Sequence, residues 1–248
     1  MKPLTPDKKH IVDALLDSYR RGYFPMAEPK PPWNPLGGTH IYWPSPDPRG
    51  TLPLSPETGF HVPRRLDRRL GKRPFTIRCD TAFERVVRGC ALPRISRNWQ
   101  SDEGTWIDET IVRWFCMLHE ARRAHSIEAW RTAPDTKQPR LVGGVYGLSI
   151  GSAFFGESMF CLPRPRQSDG TRHPLDGTDA SSVCLVLLAR HLNRCGYTLM
   201  DTQMVTPHVA RFGGVEIPRR QYLIQLSDSI IGPDRWQPMP MIEQAVVE

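Results

Sequence analysis

The segment from residue 152 to residue 205 constrains the fold more than any other part of the chain. Two apolar stretches in it, "SAFFGESMF" and "YTLMDTQMV", have the length of strands. Between them, "ASSVCLVLLARHLNRCG" has the length and apolar content of a helix, which Gly196 ends. A strand–helix–strand unit normally forms a right-handed pair of parallel strands. We therefore expect strands 153–160 and 198–205 to lie side by side and to point in the same direction.

The residues before this unit predict an antiparallel meander. "SIEAW", "LVGGVYGLS" and "SAFFGESMF" have the composition of successive strands, with a tight turn at Ile150 and Gly151 between the last two. Further upstream, "FTIRCD" predicts a strand, and "TAFERVVRGCA" predicts a helix with Asp80 as its cap. "TWIDETIVRWFCMLHEARRAH" predicts a long helix that starts at a Thr105–Asp108 capping box. The fold class is therefore α+β, with a mixed sheet.

The composition changes near residue 62. Residues 5–22 predict one helix with Thr5 as its cap, and residues 25–56 are rich in proline and poor in apolar runs. Short strands are the most that this stretch can form, around "IYWPSPDPRGTLPL". We predict a small proline-rich N-terminal domain over residues 1–62, a larger domain over residues 63–230, and a loosely held tail over residues 231–248.

The charge of the chain favours a polyanionic partner. The formal net charge is +7, and the basic residues are clustered. The densest cluster is "RRLDRRLGKR". Its cations are predicted to contact the phosphates of a nucleic acid backbone, with a solvated helix face as the alternative. They are Arg64, Arg65, Arg68, Arg69, Lys72 and Arg73.

The sequence indicates a cytoplasmic protein. No apolar run approaches the ~18 residues of a membrane span. The first residues mix acids and bases through their apolar pattern, which is not typical of a signal peptide. The six cysteines contain no CxxC pair and lie among apolar residues, so we expect reduced thiols in the core.

Polar side chains are predicted to meet at the end of the parallel strand pair. Glu157 is the only charged residue between Leu141 and Phe160, and a buried carboxylate is costly unless it is paired or used. On the next strand, Asp201 and Gln203 are two positions apart and so share a face. Ligands of such sheets bind at the carboxyl ends of parallel strands. These three side chains are thus a candidate site, and a hydrated strand end is the alternative.

The sequence favours neither a metal nor a cofactor. His119 and His125 are six positions apart, so they lie on different sides of a helix and do not match a zinc motif. A meander followed by strand–helix–strand is also the layout of the N-acetyltransferase superfamily. Those enzymes usually carry a Gly-rich pyrophosphate loop before the helix, and "LPRPRQSDGTRHPLDGTD" does not contain one. The missing loop counts against acyl-CoA as the donor.

Several motifs in one order resemble the leucyl/phenylalanyl-tRNA–protein transferases. They are "YRRGYFPMAE", "WPSPDPRG", "FHVPR", "GTWID", "AHSIEAW", "LVGGVYG", "FFGESMF", "DTQMVTPHVARFG" and "EIPRRQYL". The resemblance implies a small N-terminal domain followed by an N-acetyltransferase-like domain. It also implies transfer of Leu or Phe, with Met as a third candidate donor, from aminoacyl-tRNA to the N-terminal Arg or Lys of acceptor proteins, which marks them for N-end-rule degradation. No cofactor is implied, and we expect a monomer.

The resemblance assigns roles to particular residues. Glu157, Asp201 and Gln203 match the catalytic centre, with Asp201 orienting Gln203. Trp43 and Trp106 match aromatic residues that contact the 3′-terminal adenosine, where stacking on a base is worth ~1–3 kcal/mol. The pocket for the donor side chain is matched by Phe154, Met159, Leu185, Leu188 and Met200.

Two other readings stay open, and the sequence also departs from the family pattern. An acyl-CoA-dependent N-acetyltransferase and a non-catalytic tRNA-binding module are the alternatives. The segment before "YRRGYF" is short, and the loop over residues 161–180 is long. Ser181 and Ser182 stand where many members have Ser-Lys.

Overall fold

The computed structural model describes residues 4–28, 40–92 and 105–245. Part of the proline-rich stretch, residues 29–39, lies outside the described residues. The helices are α1 (Pro6–Arg20), α2 (Arg64–Gly71), α3 (Phe83–Cys90), α4 (Glu109–Glu120), α5 (Ala180–Arg194), α6 (Pro207–Ala210) and α7 (Arg219–Ser229). The strands are β1 (Met26–Ala27), β2 (Ile41–Tyr42), β3 (Arg49–Thr51), β4 (Thr76–Cys79), β5 (Ala124–Thr132), β6 (Pro139–Ile150), β7 (Ala153–Cys161), β8 (Leu199–Gln203) and β9 (Val215–Ile217).

The central sheet is mixed, as predicted. Its strands have the order β4-β5-β6-β7-β8-β3-β9. Strands β7 and β8 are parallel, and every other neighbouring pair is antiparallel. The predicted meander is therefore β5-β6-β7, and the predicted parallel crossover is β7-α5-β8. The α+β class is confirmed.

Each face of the sheet carries its own apolar core. Residues of α1, α3 and α4 pack on one face, against Tyr146 of β6 and Phe155 of β7. Residues of α5 pack on the other face, against Phe154 of β7 and Met200 of β8. The alternation of side chains along a strand explains why the adjacent residues Phe154 and Phe155 enter different cores. Ile111, Phe115 and Leu118 of α4 are buried in the first core.

Two of the predicted helix caps are wrong. Asp80 has a left-handed backbone (φ 57°) and its carboxylate turns to β5, where it accepts from Ser126 N at 2.7 Å. Glu128 instead accepts from Thr81 N and Ala82 N at the start of α3, at 2.8 and 2.6 Å. A carboxylate from the neighbouring strand thus satisfies the helix end that the sequence assigned to Asp80.

The start of α4 also differs from the prediction. Asp108 is itself the N-cap, and its side chain accepts from Thr110 N at 3.0 Å and Ile111 N at 2.9 Å. Thr105 lies outside the helix, where its hydroxyl accepts from Ile107 N. At α1, Thr5 is the N-cap residue but its side chain makes no capping hydrogen bond.

Segments before residue 62 and after residue 231 both contact the sheet. Strand β3 lies between β8 and β9, and Ile242 forms an isolated bridge with Ile77 of β4. The carboxylate of Asp234 accepts from Arg123 at 3.0 Å and from Trp236 N at 3.1 Å. These contacts hold residues 234–242 of the predicted loose tail. The division into domains at residues 62 and 230 stays a prediction.

The six cysteines form no disulfide; Cys90 and Cys184 are buried, and the other four are partly buried. Across residues 4–28, 40–92 and 105–245, no helix has both the length and the apolarity needed to cross a membrane.

Candidate functional site

The parallel strands β7 and β8 separate before they end. Their register pairs Ala153 with Leu199, Phe154 with Met200, and Phe155 with Asp201. Beyond this point a side chain replaces the backbone hydrogen bonds between the two strands. With the amide of Gln203 oriented by its partners, its nitrogen donates to Gly156 O at 2.9 Å and to Thr202 O at 3.0 Å. The side chain of Gln203 therefore bridges the opening between the two strands.

Glu157 projects from a β-bulge in strand β7. Gly156 pairs with Gly147 and Ser158 pairs with Tyr146, so Glu157 is an extra residue with no partner across β6. Bulges re-aim side chains and are common next to active sites. The re-aimed carboxylate accepts a hydrogen bond from the hydroxyl of Tyr19 in α1 at 2.7 Å. This is its one hydrogen bond within the described part of the chain, so the carboxylate keeps acceptor capacity.

Burial changes the acidity of Glu157. The pKa of this carboxyl is raised to about 8, mainly by removal from water, and the nearby charge of Asp201 contributes to the rise. The hydrogen bond from Tyr19 and the charge of Arg49 act in the opposite direction but do not cancel the rise. Glu157 therefore changes from its neutral to its ionised form at a much higher pH than an exposed carboxyl does.

This shift predicts a pH-dependent difference between wild type and Glu157→Gln. A carboxyl with a raised folded-state pKa contributes stability that is complete below its ordinary pKa and is lost as the pH rises through about 8. Gln carries no such dependence. The free energy of unfolding of Glu157→Gln should therefore rise relative to wild type between pH 5 and pH 9, as measured by denaturant titration. Glu216→Gln, at an exposed carboxylate, is the control, and a constant difference for Glu157→Gln would contradict the burial.

Asp201 is saturated with hydrogen bonds. Arg49 donates to both of its oxygens, at 2.9 Å from Nε and 2.6 Å from Nη2. Tyr222 of α7 donates from its hydroxyl at 2.7 Å, and the backbone N–H of Gln203 donates at 2.8 Å. Each carboxylate oxygen thus accepts two bonds. Asp201 is consequently fixed in place as an ionised acceptor within a buried ion pair.

Arg49 is a buried residue of the candidate site that the sequence reasoning did not single out. Both Arg49 and Asp201 are 0% exposed. Strand β3 pairs with β8 and so delivers the guanidinium to Asp201. Its third contact is the carbonyl of Gly22 at 2.9 Å, and the rings of Phe24 and Tyr222 lie against it. Tyr19 and Tyr222 were also not singled out, although both, like Arg49, lie within the quoted motifs.

The backbone at Gln203 is strained. Its φ of 58° places a non-glycine residue in the left-handed region. The hydrogen bond from its N–H to Asp201 maintains this conformation. Backbone strain of this kind is concentrated at active sites. Asp201 therefore contacts Gln203 through the backbone N–H of Gln203 and not through its side-chain amide.

The predicted apolar pocket residues lie together. They belong to the core on the α5 face of the sheet, where all but Met159 are buried and Met159 is partly buried. Gly156 lies beside this cluster, where a Cβ would make an ordinary contact of 3.4 Å with the methyl group of Met200. The set is Phe154, Met159, Leu185, Leu188 and Met200.

The two tryptophans differ in exposure. Trp43 is 37% exposed, and its ring stacks on Trp114 with the ring centroids 5.9 Å apart. Trp106 is partly buried against the core on the α1 face, and its carbonyl accepts from Ala27 N. Trp114 extends the aromatic surface beside Trp43 and was not singled out from the sequence.

The basic stretch forms α2 and the residues just beyond it. Leu66 is buried. Five of the six cations are exposed, and Arg69 is partly buried. Arg69 donates to Thr178 O at 2.7 Å and lies 3.5 Å from the carboxylate of Asp179. This helix therefore presents most of its charge to solvent, on the side away from Leu66.

Comparison with known proteins identifies the family of this chain. Residues 54–227 match the sequence model of the leucyl/phenylalanyl-tRNA protein transferase family. A leucyl/phenylalanyl-tRNA–protein transferase from Paramagnetospirillum magneticum (strain ATCC 700264 / AMB-1) is 42% identical over 230 residues, which cover 93% of this chain and 91% of the relative. The chain belongs to the leucyl/phenylalanyl-tRNA protein transferase family. It is an aminoacyltransferase whose substrates are an aminoacyl-tRNA and a protein.

Proposed function

We propose that the chain moves Leu or Phe from aminoacyl-tRNA to the N-terminal amine of cytoplasmic proteins that begin with Arg or Lys, marking them for N-end-rule degradation. The observation that carries the site assignment is the opening between β7 and β8. There a carboxylate with unused acceptor capacity, Glu157, lies beside an amide anchored through its nitrogen, Gln203.

The two carboxylates have different roles in this proposal. Asp201 already accepts four hydrogen bonds, so it has no free lone pair for a substrate proton and acts as a positioning residue. Glu157 accepts one bond and receives an ammonium group of a substrate, either the α-ammonium of the donor or the cationic acceptor. Gln203 offers its amide oxygen to the N–H of the attacking amine.

The chemistry requires placement more than activation. The ester of aminoacyl-tRNA is already activated, so holding an amine against its carbonyl supplies several kcal/mol. The amine nitrogen bonds to the carbonyl carbon, the ester C–O bond breaks, and the tRNA hydroxyl leaves with a proton. An α-amino group has a pKa near 8, roughly matched by Glu157 at about 8, so proton exchange between them is nearly balanced.

The apolar and aromatic residues complete the binding of the donor. We infer that Phe154, Met159, Leu185, Leu188 and Met200 surround its side chain, because unbranched and flat walls fit Leu, Phe and Met. The exposed face of Trp43 suits stacking on the terminal adenine, and Trp106, in the separate motif "GTWID", is the second candidate for this contact. The cations of α2 contact the tRNA backbone.

Narrowing this pocket should change donor choice. Met159 is its partly buried member, so Met159→Trp adds volume with less packing strain than a change at a fully buried position. We expect Phe transfer to fall about tenfold more than Leu transfer, within the ~1–3 kcal/mol range that apolar pockets discriminate. Rates with saturating Leu-tRNA and Phe-tRNA measure this. An unchanged Phe-to-Leu ratio in the folded variant would remove Met159 from the pocket.

The proposed function is tested by identifying which donor supplies the transferred group. Incubation with labelled Leu-tRNA and a peptide that starts with Arg should put label into the peptide. An acyl-CoA-dependent N-acetyltransferase would instead release thiol from acetyl-CoA in the presence of the same peptide. A non-catalytic tRNA-binding module would bind Leu-tRNA and yield no labelled peptide, and either of these results would overturn the proposal.

A further inference from the structure

A second polar site lies away from the opening between β7 and β8. Helix α2 and Arg172 of the loop over residues 162–179 line an open surface pocket of about 330 Å³. All of its lining residues are cations: Arg65, Arg68, Arg69, Lys72 and Arg172. We call this site the cationic pocket. Four of these residues come from α2 and its C-cap, and Arg172 comes from the loop.

The spacing on the helix explains the first wall. Positions 65, 68, 69 and 72 follow the i, i+3, i+4, i+7 pattern, so their side chains share one face. Arg64 and Arg73 fall outside this pattern and do not line the cavity. Four of the six cations of the basic stretch therefore line the cationic pocket, and the other two do not.

The loop that forms the second wall is held in place by a buried carboxylate. Asp176 accepts from Arg164 N at 3.1 Å, Thr178 N at 3.0 Å and Arg172 Nη1 at 2.6 Å. Burial alone would raise the pKa of Asp176, but these hydrogen bonds outweigh it and lower the pKa to about 2. Gly177 then brings the loop against β6, since a Cβ there would lie 2.3 Å from Val142 O. Arg172 is thus preorganised beside α2.

The cations of this region exceed the carboxylates that face them. Arg69 and Arg131 lie on the ring of Phe75, 5.7 and 5.0 Å from its centroid. The Nε atoms of both are buried and have no hydrogen-bond partner. Burial lowers the pKa of Arg69 and of Arg131, and the charge of Arg172 lowers both further. Asp176 raises the pKa of both, and Asp179 also raises that of Arg69, but neither outweighs burial.

We propose that the cationic pocket binds one phosphate group of the tRNA backbone between Arg172 of the loop and Arg68 of α2, an inference that rests on the proposed function. Guanidinium groups suit a phosphate because each guanidinium can donate two parallel hydrogen bonds to the phosphate oxygens. The loop is therefore part of the tRNA-binding surface, and it makes α2 a two-sided clamp instead of a single charged face.

Binding of deacylated tRNA at several salt concentrations tests this proposal without any need for transfer. Arg172→Ala and Arg68→Ala should each lower the salt slope of log K by about one or less and weaken binding at fixed salt several-fold. Because both cations hold the same phosphate, the combined variant should lose less affinity than the product of the two single losses. Arg166→Ala, an exposed arginine of the same loop bonded to Gly170 O, is the matched control and should leave the slope unchanged.

Specific outcomes would overturn the proposal. Unchanged salt slopes for both Arg172→Ala and Arg68→Ala would return the pocket to a solvated surface, and multiplicative losses would place the two cations on different phosphates. Inorganic triphosphate is the second arm: if Arg172→Ala loses triphosphate binding but keeps its tRNA slope, the pocket serves a free polyphosphate. A failure of the proposed function would look different, with wild-type slopes for tRNA binding and no labelled peptide.

Discussion

Asp201→Asn should lower the free energy of unfolding by about 3–5 kcal/mol, because it removes one partner of a fully buried ion pair and leaves the guanidinium of Arg49 uncompensated. That is a large part of the ~5–15 kcal/mol that folds a typical domain. The neutral amide has one acceptor oxygen, so it cannot receive all four hydrogen bonds that Asp201 accepts. Denaturant unfolding of the purified variant measures the loss.

The same change should also reduce transfer in the folded fraction. The N–H of Gln203 donates to Asp201, and that bond maintains the left-handed backbone that presents the Gln203 amide. The matched control is the double variant Arg49→Met with Asp201→Asn. It removes the unpaired charge, so it should recover part of the stability but not the transfer rate. A stability of Asp201→Asn equal to that of wild type would contradict the buried pair.

Glu157→Gln should slow transfer about ten- to a hundredfold while the protein stays folded. If Glu157 pairs with a substrate ammonium, the variant loses a charge-assisted hydrogen bond worth about 1.5–3 kcal/mol. That loss converts to roughly one to two powers of ten in rate. Stability should not fall, since burial already disfavours the ionised form of this carboxyl. The measurement is the transfer rate with saturating Leu-tRNA, together with a melting curve.

The control for Glu157→Gln is Tyr19→Phe. It removes the hydroxyl that donates to Glu157 but leaves the carboxylate and the packing of the ring on Phe155. We expect a smaller loss of transfer than for Glu157→Gln, because Tyr19 positions the carboxylate without touching substrate. Full activity in folded Glu157→Gln would make this carboxylate an ordinary hydrated group.

The sheet around the site could be predicted because its signals are local. The parallel pair follows from two strand-length apolar stretches flanking one helix, and the handedness of such crossovers leaves few arrangements. Glu157, Asp201 and Gln203 could be placed near each other for the same reason. The bulge that re-aims Glu157 could not be predicted, since it depends on the register between β6 and β7.

The partners of these residues depend on long-range contacts. Arg49 lies in a proline-rich stretch, and nothing in its neighbours marks it as buried or as the partner of a residue 152 positions later. The cap assigned to Asp80 failed for a related reason: Glu128, on another strand, was better placed to satisfy the start of α3. Local propensity predicts where an element begins, but tertiary contacts decide which side chain satisfies it.

The central claim is that this chain joins an aminoacyl group from tRNA to a free N-terminal amine. The most direct measurement is mass spectrometry of an Arg-initiated peptide after incubation with the purified chain and Leu-tRNA, beside the same peptide with an acetylated N-terminus. We expect one added leucyl residue at the N-terminus of the free peptide and none on the acetylated peptide. A folded protein that binds Leu-tRNA and leaves the free peptide unmodified would contradict it.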